Sequence, residues 1–388
     1  MTPHIPRTSR PAGRRGMALP IVLMAIVVLA AMVAGAAYFA MQNGRAADNS
    51  RRFQRNFGTA EAAMAEVING WNPNTYNLMT KGSSVAIAQT TTPIAGGIYA
   101  GNVRKLSDKT FMVDLTAYDT TGENARGGGA RQRIGTMVRI IPLGIDIQSA
   151  LTTLGPINFG GGNVFTEGND QVPTGYPAGV CPPTGAAVGG VRTQKIGDLP
   201  SSNGQYHGAP DALVSPSMTT AVLDSFGTTT FAAAAANRNI KIVPGTYTIN
   251  PTPNTVAGPC VFSNTNWGDG ASPNNACGSY YPIVYDSGAG TTTISSGQGQ
   301  GLLLVDGNLA ITGAFTFYGV VVVKGTISTV GGASPKFYGA VLAGGLNFSS
   351  TSGSGSAYIN YSSCTIDRMM NATGKVTPMR SRGYVRLQ

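Results

Sequence analysis

The sequence predicts an α+β protein: one long N-terminal helix, a small antiparallel meander, and a C-terminal domain of parallel β-helix-like coils. Three observations lead there. Met17 to Met41 is a run of 25 residues with no charged side chain. Phe111, Val113, Leu115 and Ala117 alternate with period two, and a Phe-Tyr-Gly segment recurs twenty residues apart near the C-terminus.

At about 1.5 Å per residue, the uncharged run covers a bilayer core of about 30 Å. Its ten Leu, Ile, Val and Phe side chains (Leu19 to Phe39) together favour insertion by about 3 to 6 kcal/mol. A core helix of a soluble protein would rarely be apolar on every face. A cleaved secretory signal, with an apolar core of about 7 to 15 residues, could end at the small residues Ala34 to Ala37. The retained helix is favoured because the helical pattern goes on. Phe53, Phe57, Ala60, Met64, Val67 and Trp71 recur at spacings of three and four, with Arg51, Arg52, Arg55, Glu61 and Glu66 off that stripe. One helix from Met17 to about Asn69 would be about 80 Å long, half in lipid and half packed on a partner.

Three stretches within this region carry a resemblance: a basic leader ending at Arg14-Arg15-Gly16, then Met17-Ala18-Leu19-Pro20-Ile21, and downstream Phe57-Gly58-Thr59-Ala60-Glu61-Ala62-Ala63. Over residues 13–70 the chain resembles the N-terminal region of PilX-type minor type IV pilins. The resemblance implies cleavage by prepilin peptidase between Gly16 and Met17 and methylation of the new N-terminus. Ile21 departs from the major pilins, which carry Glu at that place to meet the N-terminus of a neighbouring subunit. The departure implies a minor or tip-located subunit.

The cysteines Cys181, Cys260, Cys277 and Cys364 lie far beyond the apolar run and show no CxxC spacing. With His4 and His207 as the only histidines, a zinc site has few nitrogen ligands to use. Disulfides are expected instead. Of three formal pairings, Cys260 with Cys277 is preferred because the two bracket a short loop rich in Asn, Gly, Ser and Pro, which leaves Cys181 for Cys364.

Beyond the helix, a Thr-rich connector has a short strand candidate at Ser84 to Ala88. Gly97 to Lys105, Thr110 to Tyr118 and Arg131 to Pro142 then read as three strands of the meander, with Asp119 to Ala130 a Gly-rich turn. They are expected to pack on the helix stripe. Residues 143–238 are heavily punctuated by Gly and Pro, with one helix expected from about Met218 to Asn237. In the C-terminal half, Phe317-Tyr318-Gly319-Val320-Val321-Val322-Val323 is echoed by Phe337-Tyr338-Gly339-Ala340-Val341-Leu342-Ala343 and preceded by Gly301-Leu302-Leu303-Leu304-Val305. A period of 18 to 20, each run ended by Gly, predicts stacked parallel coils. Lys241 to Ile249 and Tyr281 to Tyr285 are candidate earlier strands. This part, residues 155–370, resembles an uncharacterised β-helical domain fused to PilX-like N-termini.

The expected division is therefore a leader (1–16), the membrane-spanning and amphipathic helix (17–71), an antiparallel region (72–143), the β-helix-like domain (144–370) and a basic tail (371–388). The net charge of +10 is mostly terminal, with Arg7, Arg10, Arg14 and Arg15 in the leader and Arg368, Lys375, Arg380, Arg382 and Arg386 at the other end, so no nucleic-acid partner is expected. Gly160-Gly161-Gly162 lacks the spacing of a phosphate loop. From residue 155 the acids, including Asp286 and Asp306, appear singly, without the paired carboxylates that a glycosidase needs. His207 has no GxSxG serine to serve. No enzyme, cofactor or metal is expected. The reading is a membrane-anchored, pilin-like structural protein of the bacterial inner membrane with its bulk outside, whose partners are lipid, other pilin or pseudopilin subunits and prepilin peptidase. The second reading is an adhesive or glycan-binding module. A solvent-facing row of Tyr318 and Tyr338 would favour that reading, and a buried row would favour the structural role.

Overall fold

The computed structural model describes residues 18–77, 79–91, 97–119, 131–159, 164–200, 205–253, 256, 258–348, 356–379 and 385–387. The architecture is α+β, with one long helix, one antiparallel sheet and one large parallel sheet.

Helix α1 (Ala18–Asn69) is continuous for 52 residues. It stops where Gly70 and Trp71 give way to the one-turn α2 (Pro73–Tyr76), whose proline occupies the first helical position that suits it. The strands β1 (Ser84–Thr91), β2 (Gly97–Lys105), β3 (Thr110–Asp119) and β4 (Arg131–Ile141) form an antiparallel meander in that order. Their period-two alternation puts Tyr99, Val103, Phe111, Val113, Leu115, Ile134 and Val138 on one face, where Ala60, Ala63, Met64 and Trp71 of the helix side cover them. Ala60, Ala63 and Met64 are fully buried, whereas Phe57 and Val67 of the expected stripe lie at its rim. The Gly-rich turn expected up to Ala130 lies outside the described residues from Thr120 onward.

The stretch 143–238 contributes β5 (Ser149–Thr153), β6 (Ile157–Phe159), β7 (Val164–Glu167), β8 (Gly189–Thr193), β9 (Tyr206–His207) and β10 (Ala212–Val214), all in parallel pairings. The single helix expected over Met218 to Asn237 is instead two, α3 (Ala221–Asp224) and α4 (Phe231–Ala236). Gly227, at φ +101°, turns the chain between them, and Ser225 bridges to Thr230. Thr230 caps α4 by accepting from the Ala233 amide.

The remaining strands are β11 (Ile240–Ile242), β12 (Thr246–Ile249), β13 (Ile283–Asp286), β14 (Thr291–Val305), β15 (Asn308–Ile311), β16 (Ala314–Thr329), β17 (Ser334–Phe348) and β18 (Ala357–Asn360). The repeat read in the sequence is their register: Gly301 pairs with Gly319 and Gly319 with Gly339, so the period is 18 and then 20. A single interior column runs Ile240, Val284, Leu303, Val321, Val341, Leu151, Val191 and Ala212. Chain order and stack order differ. The first strands, β5, β8 and β10, continue the stack beyond β17, and α3 and α4 carry the chain along its outside to the far end at β11.

The long apolar runs follow from burial on both faces. Leu303, Val305, Val321, Val323 and Val341 point into the interior. Their neighbours Leu302, Leu304, Val320, Val322 and Leu342 point outward, under α3, α4 and α5 (Ser363–Ala372). Where each strand turns from one side of the stack to the next stands a glycine of the column, at φ +108°, +135° and +142° for Gly301, Gly319 and Gly339. A Cβ on Gly319 would lie 2.1 Å from the Gly301 carbonyl oxygen, so no other residue fits there without moving the backbone.

Parts of the basic stretch expected over 371–388 join the meander. After the last turn of α5, β19 (Lys375–Pro378) and β20 (Val385–Leu387) both pair antiparallel with β4. Strand β4 would otherwise be the open edge of the meander, and Val376 helps to cover its apolar face.

Candidate functional site

Two features stand out as sites of interaction. The first is the N-terminal half of α1. Leu19 is 76% exposed, Leu23 57% and Phe39 67%, and every described side chain from Leu19 to Met41 except the position of Gly35 is exposed. The helix is long and apolar enough to cross a membrane. An apolar surface of this length has to be covered by lipid or by other helices. The predicted processing residues Gly16 and Met17 lie outside the described residues.

The second is the joint between the two sheets, which no pattern in the sequence announces. Buried Asn77 accepts from the Trp71 indole Nε1 at 2.7 Å and donates to the carbonyls of Asn371 (2.7 Å) and Ala372 (3.2 Å), thereby capping the C-terminal end of α5. Lys105 donates through Nζ to the Asn77 carbonyl at 2.8 Å, and burial holds its pKa below the usual lysine range. Trp71 meets Phe111 edge to face at 5.3 Å. The other end of α5 is fixed as well: Asp170 accepts from the Ser363 amide and hydroxyl, and Cys364 is bonded to Cys181. The other disulfide joins Cys260 to Cys277, 17 residues apart, around the buried Asn266 and Trp267.

The aromatic rows are buried. Tyr318 and Tyr338 are 3% and 5% exposed and stack at 5.3 Å, with Tyr176 on the other face of Tyr318 at 5.7 Å. Burial raises the pKa of both Tyr176 and Tyr318, and pushes Tyr280 up to about 12.

Asp286 and Asp306 come near one another in the stack without pairing, since Asp286 pairs with Val305 of the neighbouring strand. They nevertheless serve opposite faces. Asp286 is fully buried on an interior rung between Ile242 and Val305 and accepts from the Thr292 hydroxyl at 2.5 Å. Burial raises its pKa. Asp306, outside, accepts from the Tyr285 hydroxyl at 2.6 Å and pairs with Lys324, which also reaches Asp224 and lies over the Phe231 ring. His207 is exposed, and among the described residues no three His, Cys, Asp or Glu side chains gather as a metal ion would require.

No family model matches the chain, and no curated protein matches it. Among solved structures it is similar to the competence-associated pilin ComZ from Thermus thermophilus, at 14% identity over 86% of this chain and 97% of that one, with a TM-score of 0.22. That score is too low to carry a fold or a function from one protein to the other.

Proposed function

We propose that the chain is a non-enzymatic, pilin-like subunit, a minor component of a type IV pilus or secretion pseudopilus, held by a single helix in the bacterial inner membrane with its bulk on the oxidising side. The observation that carries this is the division of α1: one unbroken helix, bare and apolar in its first half, packed on an antiparallel sheet in its second. Such a helix serves both as an anchor before assembly and as a filament strut after it. The leader, the Met17-Ala18-Leu19-Pro20-Ile21 start and the Phe57 to Ala63 segment support the same reading by resemblance. We read the parallel coils as a β-helix carried on that pilin module. The two disulfides suit an oxidising compartment. The buried stack of Tyr318 and Tyr338 speaks for a structural role and against an adhesive module that would present them as an exposed row.

N-terminal sequencing of protein extracted from membranes tests the proposal. Prepilin processing gives a mature start at Met17, methylated, and the loss of Arg7, Arg10, Arg14 and Arg15 takes the formal net charge from +10 to +6. A start between Ala34 and Met41 would mean an ordinary signal peptide, and the filament reading would fall.

A further inference from the structure

We propose that the outer face of the antiparallel sheet, the one turned away from α1, binds an acidic polysaccharide, a chain of carboxylated or sulfated sugars. The strand register gathers there cations that the sequence scatters. Arg131, Arg133 and Arg139 stand on the side of β4 opposite buried Ile134 and Val138, and Arg104 of β2 shares their face, since Arg104 pairs with Met112 and Met112 with Met137. Lys375 of β19 joins them through its pairing with Ile141. All five are exposed. Charged residues are only 11% of the chain, so five cations on one sheet face are a concentration. Among the described residues of that face Asp114 is the one acid, and it pairs with Arg133. Arg104 and Arg139 have no ion-pair partner among the described residues.

The layout selects the ligand class. Arg131 and Arg139 are about 27 Å apart along an extended strand, and Arg104 stands two strands, about 10 Å, from that row. A small anion meets one or two of these cations, whereas a linear polyanion meets all of them. Guanidinium groups pair side by side with carboxylate, sulfate or phosphate. Between the arginines the face sinks into an open depression of about 450 Å³, where Asn102, Thr116, Tyr118 and Asp114 present amide, hydroxyl and carboxylate groups to the hydroxyls of a sugar. Single-stranded nucleic acid needs bare rings to stack on, and the one aromatic of this face, Tyr118, already lies under Arg131 at 5.4 Å. Duplex DNA is read by an element that projects into a groove, and this face is recessed. A lipid surface is too far away: Ala60, where α1 packs on the sheet, is about 28 Å along the helix from Met41. The inference holds whether or not the chain enters a fibre.

The test uses the full chain in a non-ionic detergent without a sugar headgroup, with polygalacturonate, neutral dextran and a short DNA duplex as probes and biolayer interferometry as readout. Binding of polygalacturonate supports the face when Arg104→Gln combined with Arg139→Gln weakens it about tenfold, the share of two exposed ion pairs. Lys241→Gln, an exposed charge on the parallel stack, is expected to leave it within about twofold. Both arginines are exposed, so the double variant is expected to keep the circular dichroism spectrum of the parent. Four results would each overturn the proposal: no binding of polygalacturonate, equal binding of dextran, a loss in the double variant no greater than in Lys241→Gln, or tighter binding of the DNA duplex than of polygalacturonate.

Discussion

The two sheets of this molecule bury their side chains by different rules. In the antiparallel sheet one face meets helix α1 and the other meets solvent, so Val113 and Leu115 alternate with Asp114 and Thr116. In the parallel stack one face meets the interior and the other meets α3, α4 and α5, so Val320, Val321, Val322 and Val323 are all fully buried. The first sheet depends on a partner helix for its core. The second carries its own, and its corners are set by backbone, through the column Gly301, Gly319 and Gly339. Damage to one sheet should therefore leave the other standing.

The largest effect is expected at that column. Gly319→Ala places a Cβ against the Gly301 carbonyl at a φ of +135°, and the loss should exceed ~4 kcal/mol, enough to unfold the stack. Gly332→Ala, where a Cβ meets nothing within 4 Å, should change stability by less than about 0.5 kcal/mol. Limited proteolysis of the Gly319 variant should cut within Ile283 to Phe348 while the helix-packed meander stays protected. Simultaneous loss of both sheets would show one cooperative unit and break the comparison.

Next come the disulfides, both of which lie on the stack side. Cys181 and Cys364 close 183 residues, and Cys260 and Cys277 close 17. Replacing each pair by serine should cost about 5 and about 3 kcal/mol respectively in the chain-entropy model, read from urea denaturation. The longer pair also holds the start of α5, whose end Asn77 caps, so its loss should loosen the joint. Equal costs would mean that the long loop is already held by packing.

The meander should fail through its helix. Met64 is fully buried, and Met64→Ala should cost about 2 to 5 kcal/mol, with Phe57→Ala at the rim costing less. Early protease cuts are expected between Asn72 and Pro142, with a resistant fragment from Leu143 to Thr373. Unchanged cleavage would mean that other subunits, rather than β2, β3 and β4, supply the cover.

These contrasts also explain what was legible in the sequence. The helix, its stripe and the strands β2, β3 and β4 could be read because one-sided burial writes a period into the residues. The strands β13 to β17 could be read because two-sided burial with a glycine corner writes a repeat. The strands β5 to β10 have only two to five residues each, too few for any period, and they gain their burial from coils far off in the chain. The return of β19 to β4 left no signal, since Lys375 to Pro378 carries a single apolar anchor, Val376, and its partner lies more than two hundred residues earlier. The same holds for Asn77, a lone polar residue whose partners are the carbonyls of α5.

The smallest effect, and the one that separates the two kinds of core most finely, concerns Asp286. The register of the parallel stack points Asp286 into the interior, where burial raises its pKa and Asp306 next door adds to the rise, while the Thr292 hydroxyl and Gly288 amide only partly oppose it. A carboxyl whose folded-state pKa is raised takes up protons on folding. Its stabilising contribution is complete below the unfolded-state value of 3.8 and is lost as the pH rises through the higher folded-state value. At neutral pH burying this carboxyl is therefore a cost. Asp286→Asn keeps the shape and an acceptor for Thr292 but removes that cost, so it should raise the thermal midpoint at neutral pH, and the gain should shrink as the pH is lowered toward 3.8. Thermal unfolding of the two proteins across that range, followed by circular dichroism, reads the difference directly. A gain that does not change with pH would mean that Asp286 titrates alike in the folded and unfolded protein, and a loss at neutral pH would mean that the ionised carboxylate holds the stack together through bonds that an amide cannot make.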